Sequence, residues 1–425
     1  MCGIVGILNQ KDEIESSTQK MLDTIEHRGP DSQGVWVGNR VGLGHARLSI
    51  NDLSFAGHQP MHARNNRYVL VFNGEIYNHL ELRKKLESQF FDIKWIGHSD
   101  TETLLMCFEN WGVESTIQLI VGMFAIALWD TKEQVLTLIR DRVGEKPLFW
   151  GVINNKFIFG SELKSLKAHP EFNLGINRDS IALLLRYNYI PAPHCIYQGV
   201  NKLQPGYYVK IKLGMSYDNI QPEKYWSLSE IAQQGVCEPL NKSETEVVEL
   251  LESQLTASIK DQMLSDVPLG AFLSGGVDSS LIVALMQKQS VRPVKTFSIG
   301  FKEPGYNEAE YAKRISEHLG TEHHELYVSE KDALDVIPLL ARIYCEPFAD
   351  SSQIPTYLVS KMAKQHVSVV LTGDGGDELF GGYNTYRFAP KIWNVIKKIP
   401  IGLRKSVCSM SRYLPLPNKI QKLVF

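Results

Sequence analysis

No apolar run in this chain is longer than a β-strand. The longest, residues 121–129 and 367–371, fall far short of the roughly 20 residues a membrane helix needs, which excludes stable insertion by such a helix. Cysteines are few and far apart. Cys2, Cys107, Cys195, Cys237, Cys345 and Cys408 form no close pairs, and neither CxxC nor HExxH occurs. That spacing argues against a disulfide framework and a zinc site, and fits reduced thiols in a cytoplasmic protein. An excess of charge is missing as well. The 45 Lys and Arg stand against 47 Asp and Glu, a formal net charge of -2, which leaves no basic field for nucleic acid and points to small-molecule partners. There is no internal repeat and no low-complexity segment. The opening MCGIVGI has no basic leader, and its apolar run breaks at Asn9-Gln10-Lys11-Asp12, so it does not read as a secretory signal.

What is present is an ordinary globular composition, 44% hydrophobic and 22% charged, in 425 residues, which is too long for one core. Two domains are expected, with different grammar. Up to about Pro205 the pattern is short β-like runs between Gly, Asn and Asp turns: residues 4–8, 41–50, 68–72, 123–129, 134–140, 148–153 and 156–159. Only two helical patterns interrupt them, at residues 80–87 and 101–111, the second after Ser99-Asp100-Thr101-Glu102, a capping-box signature. This half predicts stacked sheets with flanking helices over residues 2–205. A polar connecting segment follows at 206–244. Residues 245–425 then alternate helix and strand, beginning with the amphipathic run TEVVELLESQLTASIKDQML, which predicts a parallel sheet with ligands at the carboxyl ends of its strands.

A cysteine directly behind Met1 raises the question of chemistry. Removal of Met1 is expected when the next side chain is small, and it would give Cys2 both a thiol and a free amine, a nucleophile beside its own general base for attack on an amide or ester carbonyl. The Asn73 amide and the Gly74 backbone N–H, directly after the strand YVLVF, could form an oxyanion hole. Arg47 could hold a substrate carboxylate, and Glu75 and Asp100 its ammonium. Each residue also has a plainer reading, and taken singly those readings prevail. Cys2 is then a small hydrophobe opening a strand, Asn73-Gly74 a turn, Arg47 half of a surface ion pair and Asp100 a helix cap.

Together the segments resemble something known. CGIVG, HRGPDSQG (residues 27–34), GHARLSI, FNGEIYN (72–78), SDTE (99–102) and RDRVGEKPL (140–148) resemble, in order, the motifs of class II glutamine amidotransferase domains. The resemblance implies an αββα sandwich of the Ntn hydrolase kind. It also implies that Cys2 attacks the glutamine side-chain amide, that Asn73 and Gly74 stabilise the oxyanion, and that Arg47, Glu75 and Asp100 recognise the amino-acid end.

Released ammonia calls for a second site. VPLGAFLSGGVDSSLIVAL supplies a strand, a loop and a helix, whose glycines and hydroxyls at the helix N-terminus suit phosphate, although the GK[ST] ending of a Walker A loop is absent. An acid inside such a loop reads as a magnesium ligand, here Asp278. VSVVLTGDGGDELFGGY repeats the theme, and Asp377 could share magnesium with Asp278. The plainer reading of the first loop is an ordinary strand-to-helix turn. SGGxDS resembles the loop of ATP pyrophosphatases, which favours adenylation of a carboxylate over phosphoryl transfer.

Both domains in this order resemble the glutamine-hydrolysing asparagine synthetase family up to about Tyr383. The resemblance implies ATP and Mg2+, with Leu273 and Ile299 flanking adenine. Ser274, Gly275, Gly276, Val277, Asp278 and Ser279 would bind pyrophosphate, and Thr372 and Gly373 would contact the nucleotide. The C-terminal domain is then of the parallel-sheet, adenine nucleotide alpha hydrolase-like class. Aspartate would be adenylated and ammonia would displace AMP, in a homodimer. The stretch EPFADSSQIPTYLVSK also matches the family.

Two departures shape the expectations. Where many asparagine synthetases have SGEG this chain has TGDG, which puts the shorter acid Asp374 near the acyl-adenylate. The GDGGDELFGGY form resembles a bacterial branch in which a sugar uronate, from surface-polysaccharide biosynthesis, is an alternative acceptor. Relatives usually also continue past GGY into a portion that contributes a lysine and helices over the synthetase site. Residues 388–425 hold eight Lys or Arg and no acid, and are expected to open a helical segment; attachment to a membrane surface is the weaker alternative, given Pro400, Pro415 and Pro417. A chain retaining only glutaminase activity is the third expectation.

Overall fold

In the computed structural model, residues 1–301 and 307–405 are described. They fall into two compact units, one made of Met1–Gly270 with Val328–Val370, the other of Ala271–Tyr327 with the chain from Leu371 onward.

The first unit contains strands β1 (Gly3–Leu8), β2 (Ser32–Gly38), β3 (Val41–Arg47), β4 (Met61–His62), β5 (Tyr68–Ile76), β6 (Gly122–Asp130), β7 (Val135–Arg140), β8 (Phe149–Ile153), β9 (Lys156–Gly160), β10 (Val200–Lys202), β11 (Tyr207–Lys212) and β12 (Glu223–Lys224). Its first seven helices are α1 (Ile14–Asp23), α2 (His79–Gln89), α3 (Asp100–Leu119), α4 (Leu163–Lys167), α5 (Arg178–Tyr187), α6 (Leu228–Cys237) and α7 (Glu244–Gln262). The strands form two six-stranded sheets, β10-β8-β9-β1-β3-β2 and β12-β11-β7-β6-β5-β4.

The two-residue period of β5 decides the layering. Val69 and Val71 enter the core between the sheets with Ile4, Leu43, Ala127 and Leu138, while Leu70 and Phe72 face Leu82, Leu86, Leu104 and Phe108 of α2 and α3. On the outer side of the first sheet, Val5 and Ile7 pack against Met21 and Leu22 of α1 and Leu163 and Leu166 of α4. The result is the αββα sandwich that the strand-rich pattern predicted. Burial of each such side chain stabilises the layers by about 1.5–3 kcal/mol.

Three local expectations change. Asn73-Gly74-Glu75 is not a turn after the strand but its continuation, because β6 pairs with it through Asn73↔Ala125, Gly74↔Phe124 and Glu75↔Met123. The capping box of α3 is half made: Ser99 Oγ accepts from Glu102 N at 3.2 Å, but the Glu102 carboxylate accepts from Ile96 N and Gly97 N instead of closing on Ser99. Helices α1, α4 and α5 join the two that the periodicity predicted in this half, and β2, β4 and β10 join the strands.

The chain continues through β13 (Leu269–Phe272), α8 (Val277–Gln289), β14 (Lys295–Phe301), α9 (Ala309–Leu319) and β15 (Glu322–Val328) to α10 (Glu330–Ile343), α11 (Gln353–Ala363), β16 (Val369–Leu371), α12 (Gly376–Phe380) and α13 (Asn384–Ile396). The four strands form the expected parallel sheet, in the order β15-β14-β13-β16. Of the basic stretch that starts at residue 388, α13 covers the beginning; residues 406–425, with Cys408, Pro415 and Pro417, lie outside the described residues. The five described cysteines are free thiols. No helix among the described residues is long and apolar enough to cross a membrane.

Candidate active site

Cys2 stands directly before β1, and the register Gly3↔Ala46 sets it beside the end of β3, where Arg47 and Leu48 follow. Its backbone is fixed by Arg28 Nε, which donates to Cys2 O at 2.9 Å. The thiol donates to Leu48 O at 3.5 Å, and Leu48 N donates to Sγ at 3.4 Å. Cys2, Arg47, Asn73, Gly74, Glu75 and Asp100, the six residues singled out in the first half of the sequence, line one cavity of 510 Å³. A further wall comes from α11 and the segment after it, with Ala363, Lys364 and Val367.

Burial pushes the Cys2 thiol up, with the Leu48 hydrogen bond opposing it only in part, so at neutral pH the thiol holds its proton and attack requires a base. The adjacent α-amine, that of Met1 in this chain, is brought down to about 6 by burial, against the pull of Cys2 and with Arg28, Lys146 and Lys364 adding to the shift. An amine in this setting is unprotonated near neutrality and can accept a proton.

Asn73 is 1% exposed, and neither its Oδ1 nor its Nδ2 has a hydrogen-bond partner among the described residues. Leaving a buried amide without partners costs about 1–3 kcal/mol, which makes this side chain one that awaits a ligand. Gly74 is a glycine because β6 leaves no room: a Cβ there would stand 2.1 Å from Met123 O.

Glu75 and Asp100 are buried carboxylates. Burial raises Glu75 to about 7, and the Asp100 charge pushes in the same direction. Burial likewise raises Asp100 to about 6, against hydrogen bonds that include Ile76 N at 2.9 Å. Two buried acids with raised pKa values in one cavity are groups whose ionised forms an incoming cation would favour. Arg47, 7% exposed, donates through Nη1 to Ser54 O at 2.9 Å and through Nη2 to Asp52 O, which occupies two of its five N–H groups.

Among the lining residues that sequence reasoning left unassigned are three with polar side chains, Asn51, Gln59 and Lys146. Asn51 Nδ2 donates to Glu75 Oε1 at 3.2 Å. Gln59 bridges Phe72 N, at 2.7 Å, and Thr101 Oγ1. Lys146, 5% exposed, sits in the RDRVGEKPL motif, which was its only signal.

The second unit holds the other predicted loop. Leu273 is buried and donates from N to Phe297 O of β14, the strand that carries Ile299. Ser274 Oγ lies 2.9 Å from Ser279 Oγ and accepts from Gly276 N, so the loop folds on its own hydroxyls ahead of α8, whose first turn carries Val277 and Asp278. The Thr372–Gly373 loop lies against it. A Cβ on Gly373 would stand 2.7 Å from Ser279 N, and one on Gly376 would stand 2.5 Å from Asp278 Oδ2. Asp374 accepts from Thr372 Oγ1 at 3.1 Å, and Asp377 lies in the first turn of α12. The structure thus brings the two predicted loops together.

Comparison with known proteins points the same way. Residues 1–226 match the family model described as glutamine amidotransferase domain, and residues 250–423 the one described as asparagine synthase. The Methanocaldococcus jannaschii protein assigned as asparagine synthetase [glutamine-hydrolyzing] 2 is 38% identical over 95% of this chain and 79% of its own length. Asparagine synthetase [glutamine-hydrolyzing] 1 of Bacillus subtilis is 36% identical over 98% of this chain, which spans 64% of that protein. Amidase chyE of Penicillium rubens is 31% identical over 88% of this chain and 56% of its own length. Among solved structures, glutamine phosphoribosylpyrophosphate amidotransferase from B. subtilis is similar at a TM-score of 0.41 and 16% identity, over 76% of this chain and 65% of that one.

Proposed function

This chain belongs to the glutamine-hydrolysing asparagine synthetase family, and from that premise we propose that it hydrolyses glutamine at Cys2 and uses the ammonia to amidate a carboxylate, aspartate in the first instance, at the expense of ATP. The observation that carries the first half is the cavity itself, in which the Cys2 thiol, the start of the chain and an unpartnered buried amide converge.

In this reading Met1 is removed and the amine becomes that of Cys2. It takes the thiol proton as sulfur attacks the glutamine amide carbon. Asn73 Nδ2 and Gly74 N hold the oxyanion, the C–N bond breaks as the amine returns the proton to leaving ammonia, and water releases glutamate from the thioester. Arg47 binds the substrate carboxylate, and Glu75 and Asp100 its ammonium. At the second site the acceptor carboxylate attacks the α-phosphorus of ATP, pyrophosphate leaves, and ammonia then displaces AMP from the acyl carbon. Leu273, Ile299, Thr372 and Gly373 would hold the nucleotide, residues Ser274 to Ser279 the pyrophosphate, and Asp374 would lie by the acyl-adenylate. Asp278 and Asp377 would hold Mg2+, an ion that binds through one or two carboxylates plus phosphates and would neutralise phosphate charge. Glycine at position 376 keeps the space over the Asp278 carboxylate clear.

The test is release of glutamate, AMP and pyrophosphate with ATP, magnesium and glutamine, run against aspartate and a panel of uronic acids. Glutamate and AMP with aspartate are expected. AMP only with a uronate would change the acceptor, glutamate without AMP would confine activity to the Cys2 cavity, and no glutamate would overturn the reading.

The two raised carboxylates give a further expected result. An arriving ammonium needs both acids ionised, so glutamine binding should weaken as pH falls, by about 20-fold between pH 8 and pH 6 for groups titrating near 7 and 6. Calorimetric titration of the Cys2→Ala variant measures this without turnover, and a flat profile would remove the acids from the ammonium site. Stability runs in the opposite direction. The empty folded protein keeps protons that the unfolded chain, with ordinary values of 4.5 and 3.8, has released, so it loses stability as pH rises through this range to about 7.

A further inference from the structure

Arg47 is held in place by a turn that no motif singles out. Residues 50–57 wrap its guanidinium, and Asp52 is their pivot: it is 1% exposed and has a positive φ of 59°, a conformation that a non-glycine residue keeps only where its surroundings hold it. Its carbonyl accepts from Arg47 Nη2. Its Oδ1 accepts from Ser54 N at 3.1 Å and Ser54 Oγ at 2.5 Å, and its Oδ2 from His98 N at 2.8 Å. There is no slack between this pivot and Arg47. A Cβ on Gly57 would stand 2.1 Å from Arg47 Nη2, and one on Gly97 would stand 2.1 Å from Asp52 Oδ2.

The turn is clasped from outside by Asp266, from the segment between α7 and β13. Asp266 Oδ2 accepts from Asp52 N at 2.7 Å and pairs with His98 Nε2 at 2.7 Å, while Asp266 N donates to Ile50 O at 3.0 Å. The same bonds hold the Asp266 carboxyl below its ordinary range, the His98 contact most strongly. His98 belongs to the strip 97–100 that ends in Asp100, so one carboxylate ties together the two segments that carry Arg47's turn and the ammonium-binding acid. All of these contacts lie within the first compact unit.

We propose that Asp266 is a positioning residue for glutamine capture: with His98 it fixes the Asp52 turn, and through that turn it aims Arg47 at the substrate carboxylate. The proposal rests on the glutaminase reading of the Cys2 cavity. It predicts a split between recognition and chemistry, because Asp266 touches neither Cys2 nor the oxyanion donors.

The experiment uses the full chain and measures glutamine hydrolysis and, separately, alkylation of Cys2 by iodoacetamide, an electrophile with neither carboxylate nor ammonium. Asp266→Ala should raise KM for glutamine by roughly 10-fold or more, the scale of a charge-assisted hydrogen bond, with kcat within about twofold of wild type. Its alkylation rate should not change. Asp266→Asn keeps an acceptor for Asp52 N and should fall between Ala and wild type. His98→Ala breaks the clasp from its other side at a side chain that is 65% exposed, so it leaves the packing intact and should raise KM in the same direction. An unchanged KM in both alanine variants would overturn the proposal, as would KM, kcat and alkylation all deteriorating together, which is the mark of a merely structural residue. A wild-type chain that alkylates at Cys2 but does not hydrolyse glutamine would bring down the glutaminase reading itself.

Discussion

Cys2→Ala is expected to remove glutamine hydrolysis by on the order of 10⁴-fold or more, the scale seen when a covalent nucleophile is deleted, while glutamine still binds and the fold persists. Binding persists because Arg47, Glu75 and Asp100 are separate from the thiol. The fold persists because the side chain contributes only two sulfur contacts to Leu48, whereas the position of the residue is set by the backbone, through Arg28 Nε on Cys2 O and the β1–β3 ladder. Serine should rescue little. A hydroxyl gives up its proton far less readily than a thiol, and an α-amine, with an ordinary value of about 8, is a weak base for that task. Where the wild-type chain releases AMP with glutamine, the alanine variant should release it with an ammonium salt instead. Glutamate production by Cys2→Ala at the wild-type rate would remove Cys2 from the chemistry. Loss of both the glutamine-driven and the ammonia-driven reactions in a folded variant would contradict two separate sites.

The six residues singled out in the sequence share one cavity, and what pointed to them was the motifs standing together in order; taken singly, the thiol, the amide, the backbone N–H, the guanidinium and the two acids each kept a plainer reading. Their local structure was less legible. Asn-Gly is a turn signal, yet Gly74 is needed for the close approach of β6 within a strand, and sequence alone does not distinguish those two uses of glycine. Helix α1 was hidden because its buried face uses Ser17 and Thr18 beside Ile14, Met21 and Leu22, so the apolar period is broken by polar residues that pack. Glu102 looked like the closing half of a capping box but serves the backbone of Ile96 and Gly97. Residues such as Asn51, Gln59 and Asp266 act through partners 13 to 214 positions away, and no local pattern reports a bond of that kind.

Gly275→Ala should weaken nucleotide binding severely while sparing glutamine hydrolysis. Gly275 has a φ of 83°, and a Cβ there would stand 2.8 Å from Tyr311 Cβ and 2.9 Å from Ala312 N, both on α9. Backbone strain of about 1–2 kcal/mol for an L-residue in that region adds to an overpacking cost of about 1–3 kcal/mol. The neighbour atoms are a Cβ and a backbone nitrogen, which cannot swing away as the end of a flexible side chain would. The loop must therefore move, and its internal bonds, Ser274 to Ser279 and to Gly276 N, are the ones that shape the proposed pyrophosphate cradle. A combined cost of that size corresponds to a weakening of MgATP binding by at least about 30-fold, measurable by equilibrium titration. Glutamine hydrolysis in the same preparation should stay near wild type, since none of the residues lining the Cys2 cavity belongs to this loop. Undiminished MgATP affinity in the variant would mean that the nucleotide does not sit on this loop, and the assignment of residues 274–279 would have to be abandoned.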